Sequence, residues 1–318
     1  MMKPLYYIRH LLTALLIWMA AGTLHAQFDA RFSQYWDVQG YYHPAAVGRT
    51  ERLNLYGAYG MQLMGFTRAP RSMTFGAELP FSLLGMRHGA GLGFFNEGIG
   101  LFRNQRFYLQ YAFRLKLAGG QAGIGVQAGM ASVSFDPTDI NLGDEAEDEA
   151  FPSTEENGKA FDLGVGLYYQ KPRFFLALSG HHLTAPRIRL GEKSHLNIKP
   201  MVYFTGGYNI QTRNPLISIQ PSCHVQSDFL STRVDLTGRL LYSFRSKVFS
   251  GGVTYSPQTS ATFSLGLKIR NLQVGYAYEL FTSKIGAASG SHDIAVSYAL
   301  DLSSFKKKRN LHKSVRIL

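Results

Sequence analysis

The stretch Arg106-Phe107-Tyr108-Leu109-Gln110-Tyr111-Ala112-Phe113-Arg114-Leu115-Lys116-Leu117 alternates strictly between two kinds of side chain. Residues of a strand point alternately to its two sides. Phe107, Leu109, Tyr111, Phe113, Leu115 and Leu117 therefore share one face, and Arg106, Tyr108, Gln110, Ala112, Arg114 and Lys116 share the other. One face suits lipid and the other water. The scheme returns where Ala261, Phe263, Leu265, Leu267 and Ile269 alternate with Thr262, Ser264, Gly266 and Lys268. It returns again where Leu272, Val274, Tyr276, Tyr278 and Leu280 alternate with Gln273, Gly275, Ala277 and Glu279, the two segments being joined by Arg270-Asn271 as a hairpin turn. In the last such segment Ile294, Val296, Tyr298 and Leu300 oppose Ala295, Ser297, Ala299 and Asp301. Segments of about ten alternating residues have the length of a tilted membrane strand. Soluble β-sandwiches alternate too, but here the outward face keeps large apolar residues on almost every strand, with Tyr and Phe near strand ends where interface girdles lie.

Extending the pattern along the chain predicts fourteen strands: 51–59, 71–79, 88–96, 104–117, 120–133, 160–170, 173–182, 197–211, 215–224, 231–243, 247–256, 260–269, 271–281 and 292–302. The 215–224 segment is interrupted by Pro221, which lacks a ladder donor. If the first strand rises from the periplasm, the tight connections at Ala118-Gly119, Lys171-Pro172, 212–214, Arg245-Ser246 and Arg270-Asn271 all fall on the periplasmic side and the longer loops outside. Short turns at one end and long loops at the other are the anatomy of an outer-membrane barrel. The expected fold is thus all-β, a transmembrane antiparallel barrel at residues 51–305.

The N-terminus supports export. Lys3 and Arg9 precede an apolar run at 11–22 that is too short to span a bilayer, and Ala26 offers a small residue at a cleavage point before Gln27; this is the profile of a signal peptide covering 1–26. Residues 27–50 then read as a periplasmic segment before the barrel, and 306–318 as a basic periplasmic tail carrying Lys306, Lys307, Lys308 and Arg309. The single cysteine, Cys223, excludes an internal disulfide framework, and the remainder holds no apolar run long enough for a membrane helix. The formal net charge of +12, about +10 without Lys3 and Arg9, raises nucleic-acid binding, which export argues against; the tail is expected either to contact lipid head groups or acidic proteins or to be a solvated tail with no partner.

No credible constellation for catalysis or cofactor binding stands out. The acidic run at 143–149, followed by Glu155 and Glu156, lacks the spacing that preorganises calcium ligands and reads as a solvated outer loop. His181 and His182, if at a strand end, face opposite ways and cannot easily share a metal. Ser291, His292 and Asp293 are consecutive, whereas a hydrolase triad draws its members from separate segments. Gly89-Ala90-Gly91-Leu92-Gly93 lacks the lysine and helix of a phosphate loop and suits small residues facing a lumen or a bend.

Several short motifs, in order, resemble one family. Ser33-Gln34-Tyr35 is followed by His43-Pro44-Ala45 and Gly48; Gly65-Phe66-Thr67-Arg68-Ala69-Pro70 follows, then Pro80, Gly91-Leu92-Gly93 and Gly98; Gly180-His181-His182-Leu183 and Gly290-Ser291-His292-Asp293-Ile294 come last. This series is similar to the PorP/SprF family, whose motifs place Asn where His43 stands and Gly where Arg68 stands. The resemblance implies a non-enzymatic outer-membrane barrel of the type IX secretion system of Bacteroidota, concerned with protein export, surface attachment and in some species gliding motility. It implies periplasmic ring or peptidoglycan-associated proteins, or a large secreted adhesin, as partners. The motif residues Ser33, Gln34, Tyr35, Pro44, Ala45, Gly48, Gly65, Phe66, Ala69, Pro70, Gly290, Ser291, His292 and Asp293 are then either structural or partner-docking. The competing reading is a passive porin or small-solute transporter, since a fourteen-strand barrel is wide enough to need a plug or hold a channel. Inward Arg106, Arg114, Lys116, Arg239 and Lys268 would make that channel prefer anions.

Overall fold

Strands whose two faces differ this sharply have one way to satisfy both, which is to close on themselves with the apolar face outward. The computed structural model, describing residues 29–137, 155–191, 194–282 and 290–302, is such a closed antiparallel barrel of 14 strands. The expected signal peptide at 1–26, the acidic run and the basic tail lie outside the described residues.

The chain runs through a four-residue helix α1 (Gln39–Tyr42) and a 3-10 turn (Pro44–Ala46) before entering β1 (Arg52–Met61), β2 (Arg71–Leu83), β3 (Met86–Ile99), β4 (Phe102–Leu117), β5 (Gly120–Phe135), β6 (Glu156–Gln170) and β7 (Phe174–His181). A separate hairpin, β8 (Arg187–Leu190) with β9 (Ser194–Asn197), precedes β10 (Met201–Tyr208) and β11 (Ile210–Gln211), two pieces of one barrel strand. The circuit ends with β12 (Ile217–Ser227), β13 (Thr232–Phe244), β14 (Lys247–Ser256), β15 (Ser260–Ile269), β16 (Leu272–Phe281) and β17 (Ser291–Asp301). Neighbours in sequence pair in space, and β1 closes on β17.

The alternation holds in the structure. On β4, Phe107, Leu109 and Tyr111 are exposed at 52%, 57% and 43%, whereas Arg106, Tyr108, Gln110 and Ala112 are each buried at 5% or less. Exposed apolar side chains continue round the wall through Phe75, Leu92, Val126, Leu167, Val253, Phe263 and Val296, giving the lipid-facing belt of an outer-membrane barrel.

Two departures from the sequence reading concern proline. β2 runs through Pro80 to Leu83 rather than stopping before it. The β1–β2 ladder ends at Asn54 opposite Glu78, so Pro80 pairs with β3 alone and owes no donor to β1. Pro221 is likewise accommodated inside β12, because the β10 ladder ends at Ser222 and the β11 ladder starts at Ile219. The break at Asn209 follows directly on Tyr208, which by this register stands opposite Pro221. Leu84-Gly85 becomes a further tight turn, with φ of 52° and 77°, matching Ala118-Gly119 at 48° and 73°; two successive positive φ values are the geometry whose twist suits a two-residue hairpin. These turns lie at the end that also carries the turns after β6, β11, β13 and β15. The longest connections between barrel strands, 62–70, 136–155, 182–200 and 282–290, collect at the other end, which also carries the short turns at 100–101, 228–231 and 257–259. By this asymmetry the short-turn end is periplasmic and the long-loop end external.

Candidate functional site

A barrel of this width cannot be filled by its own inward side chains, and the chain fills it with residues 29–48. The sequence reading placed 27–50 in the periplasm before the barrel; residues 29–48 instead run down the inside of the wall, almost all of them buried. The physical reason lies in their composition. Phe32, Tyr35, Val38, Tyr41 and Tyr42 are at most 3% exposed and form, with Tyr56, Phe95, Met201 and Tyr203 from the strands, the main core of the molecule. Each such side chain gains about 1.5–3 kcal/mol by leaving water, which a free periplasmic segment would forgo.

The segment enters beside the external end and leaves at the periplasmic end. Asp29 sits against Arg106 of β4 at 2.9 Å, with Tyr203 of β10 donating to the same carboxylate. His182 lies 3.1 Å from Asp29 and, on its other ring nitrogen, 2.8 Å from Asp162 of β6. Arg106 also donates to the Tyr41 hydroxyl at 2.9 Å and lies over the Phe95 ring at 4.6 Å. The expectation that His181 and His182 face opposite ways is corrected here. Both are buried, because β7 ends at His181 and His182 takes φ 55°, which breaks the alternation and turns the second ring inward. Among the described residues no group of three or more His, Cys, Asp or Glu is placed to hold a metal.

Opposite this cluster, Arg31 bridges Asp235 of β13 and Glu279 of β16, both at 2.8 Å, and Arg233 meets the same two carboxylates at 3.0 and 2.7 Å. Ser256 and Ser260 donate to Asp235 and Glu279 respectively. Two guanidiniums and two carboxylates thus form a closed square, which offsets the cost of removing all four charges from water.

Lower in the lumen the contact is between backbones. The carbonyl oxygen of Val47 would stand 2.1 Å from a Cβ placed on Gly89, and Ala45 nitrogen 2.3 Å from one on Gly125. Gly48 itself has φ 67° and lies against Gly89. Arg114 fixes the same turn by donating to the carbonyls of Ala45 and Val47 at 3.1 and 2.8 Å. His43 bridges Ser179 at 2.9 Å and Thr205 at 2.7 Å with its two ring nitrogens, and Gln110 donates to the Gly40 carbonyl at 2.7 Å.

The motif residues divide accordingly. Ser33 N–H donates to Asp293 at 2.6 Å, Gln34 packs on Gly275, and the Tyr35 hydroxyl meets Ser222 at 2.7 Å and Thr237 at 3.0 Å. Pro44, Ala45 and Gly48 make the turn against the glycine wall. Gly65, Phe66, Ala69 and Pro70 lie in the β1–β2 connection, pinned where Met64 N–H donates to the Gly290 carbonyl and Leu63 N–H to the Ser291 hydroxyl, at 2.9 and 3.1 Å. Ser291 and Asp293 face the lumen, whereas His292 faces out and meets the Tyr276 hydroxyl at 2.7 Å. Arg68 has φ 56°, a conformation glycine takes most easily, which suits the glycine of the motif it resembles. Sequence reasoning missed Asp29, Arg31, Asp162, Asp235 and Glu279, and missed the β8–β9 hairpin, which folds Ile188 and Leu190 against Ala131 and Val133 inside the external end.

A family model described as "Type IX secretion system membrane protein PorP/SprF" matches residues 24–298. A comparison with curated proteins finds no match. Among solved structures the chain resembles the CymD monoaromatic hydrocarbon channel at 14% identity and TM-score 0.47, covering 87% of this chain and 94% of that one. It resembles the Pseudomonas putida toluene transporter TodX at 9% and 0.48, covering 86% and 95%. The Acinetobacter baumannii outer membrane protein Omp33 follows at 6% and 0.45, covering 78% and 98%. At these values nothing those proteins carry passes to this chain. The motifs, the barrel that joins them and the match over 24–298 agree: this chain belongs to the PorP/SprF family of type IX secretion system membrane proteins.

Proposed function

We propose that this protein is a non-enzymatic, closed scaffold of the type IX secretion system in the outer membrane, not an open conduit. It docks periplasmic ring or peptidoglycan-associated proteins, or a large secreted adhesin, and so serves export, surface attachment or gliding. On this reading residues 1–26 are a cleaved signal peptide and the tail with Lys306, Lys307, Lys308 and Arg309 stays in the periplasm. The observation that supports it is the occupied lumen. Arg106 is committed to Asp29, Arg114 to the carbonyls of Ala45 and Val47, and Arg239 to the face of Trp36 at 4.1 Å. The cations that would have lined an anion-preferring porin are thus largely engaged with residues 29–48. Lys116 and Lys268 stay exposed near the periplasmic ends of their strands.

Affinity purification of the tagged protein from gently solubilised outer membranes of its native host tests the proposal. Periplasmic ring proteins or one large secreted adhesin should come with it. Recovery of the barrel alone would favour the porin reading.

A further inference from the structure

We infer that the periplasmic mouth of the barrel holds an anion-binding vestibule, centred on Arg49 and Arg114, that receives the carboxylates of an acidic peptide segment presented by another protein. The inference rests on the docking role above and specifies the chemistry of one docked surface.

The geometry begins where residues 29–48 leave the lumen. Arg49 and Arg114 line a cavity of about 510 Å³ together with Gln121, Arg87 and Glu51. Arg87 is already paired with Glu51 at 2.8 Å. No carboxylate among the described residues lies within 4.0 Å of the Arg49 or Arg114 guanidinium. Arg49 Nη1 and Arg114 Nε are buried without a hydrogen-bond partner, an arrangement native structures rarely leave unexplained. Arg114 is held in place by two backbone carbonyls, which orient its charge without neutralising it. Arg49 also lines an adjoining cavity of about 270 Å³ that carries Lys171, Arg173 and Arg239. Cations therefore converge on the mouth from β4, from the turn after β6, from β13 and from the end of the lumen segment.

The acidic groups of this region are outnumbered. Glu51 holds Arg87 and Asp37 accepts from Gln273, which leaves Glu78, buried beside Gly40, as the carboxylate whose charge acts on Arg49 and Arg114, from beyond ion-pair distance. Against these three carboxylates stand Arg49, Arg87, Arg114, Lys171, Arg173 and Arg239, so among the described residues positive charge is in excess at the mouth. Leu302 lines the cavity, and the residues that follow read Lys306-Lys307-Lys308-Arg309, of the same sign. The acidic run 143–149 falls in the sequence between β5 and β6 and lies outside the described residues. Lipid head groups lie outside the wall, whereas Arg114 is on its inner face. A peptide entering from the periplasm meets the partly exposed Arg49, with the buried charge of Arg114 behind it, and paired N–H donors on a carboxylate are the strongest contact a guanidinium can make.

The probe is a fluorescent hexaglutamate peptide, titrated onto full-length protein in zwitterionic nanodiscs and read by anisotropy. Saturable binding is expected, with displacement by inorganic phosphate and weakening as salt rises. Arg49→Gln, which removes a side chain without a bonded partner, should weaken it about tenfold or more. Lys247→Gln, on the same rim but outside the cavity, should change it less than twofold. Equal binding by wild type and Arg49→Gln, or equal weakening by both variants, would overturn the vestibule. So would loss of peptide binding when phosphatidylglycerol is added to the disc, since the cations would then face head groups. The titration of the wild-type protein alone stands if a variant fails to fold: no saturable hexaglutamate binding overturns the inference. Purification from the native host separates the two levels. Partners recovered equally with wild type and Arg49→Gln leave docking intact and refute the vestibule; no partner with wild type refutes docking itself.

Discussion

The two walls of the lumen hold residues 29–48 by different physics. The wall formed by β3, β5 and β6 holds them by shape, with Gly89 and Gly125 letting the backbone of residues 44–48 come into contact and Gly166 making room for the Pro44 ring. The wall formed by β13, β16 and β17 holds them by charge, through Arg31 on Asp235 and Glu279 and Ser33 on Asp293. Contact by shape tolerates no added atom and is indifferent to salt. Contact by charge tolerates changes of volume but not the loss of one partner, which strands the others in a buried site. The lower half of the lumen therefore adds to the hydrogen bonds of His43, Gln110 and Arg114 a fit set by what the glycines lack, whereas the upper half rests on charges that are present.

The largest effect should come from the charged wall. Arg31→Met leaves Asp235 and Glu279 with Arg233 alone, and breaking such a buried square costs about 3–5 kcal/mol, to be read from urea unfolding in liposomes. A loss under about 1 kcal/mol would mean that Arg233 suffices and that the square is redundant. Next, Gly89→Ala forces a methyl against the Val47 carbonyl and should cost about 1–3 kcal/mol by overpacking, with no change in the loss between low and high salt. A salt-dependent loss would erase the contrast between the walls. Smaller again, His43→Leu removes the bridge between Ser179 and Thr205, whose hydroxyls keep the Tyr42 carbonyl and the His224 ring, for about 1–1.5 kcal/mol. Ser222→Ala is the mildest, about 0.5–1 kcal/mol, since the Tyr35 hydroxyl keeps Thr237; thermal shifts in gel mobility would resolve it from His43→Leu.

The barrel was legible in the sequence because alternation is a local signal, and residues such as Phe107 and Arg106 declare their faces without knowledge of their neighbours. Fourteen strands and most tight turns followed from it, and the glycine-rich run at 89–93, read as facing a lumen or a bend, lies on β3 with Gly89 against the lumen segment. The lumen segment was not legible. Its anchors join Arg31 to Asp235 and Glu279 across separations of 204 and 248 residues, and nothing in either neighbourhood signals the other. The motif residues marked positions that matter without saying what they touch. Ser33 and Asp293 were both singled out, yet their hydrogen bond emerges only once the barrel closes β17 beside β1. His182 was misassigned because alternation was extended one residue past the end of its strand.

The central claim is that residues 29–48 close the barrel. Planar-bilayer recording of the purified full-length protein, with correct folding confirmed by heat-modifiable mobility, addresses it directly. The account predicts insertion without sustained current, and a new current in Arg31→Met or Gly89→Ala. A stable ohmic conductance from the unaltered protein, of the size expected for an empty fourteen-strand lumen, would contradict it.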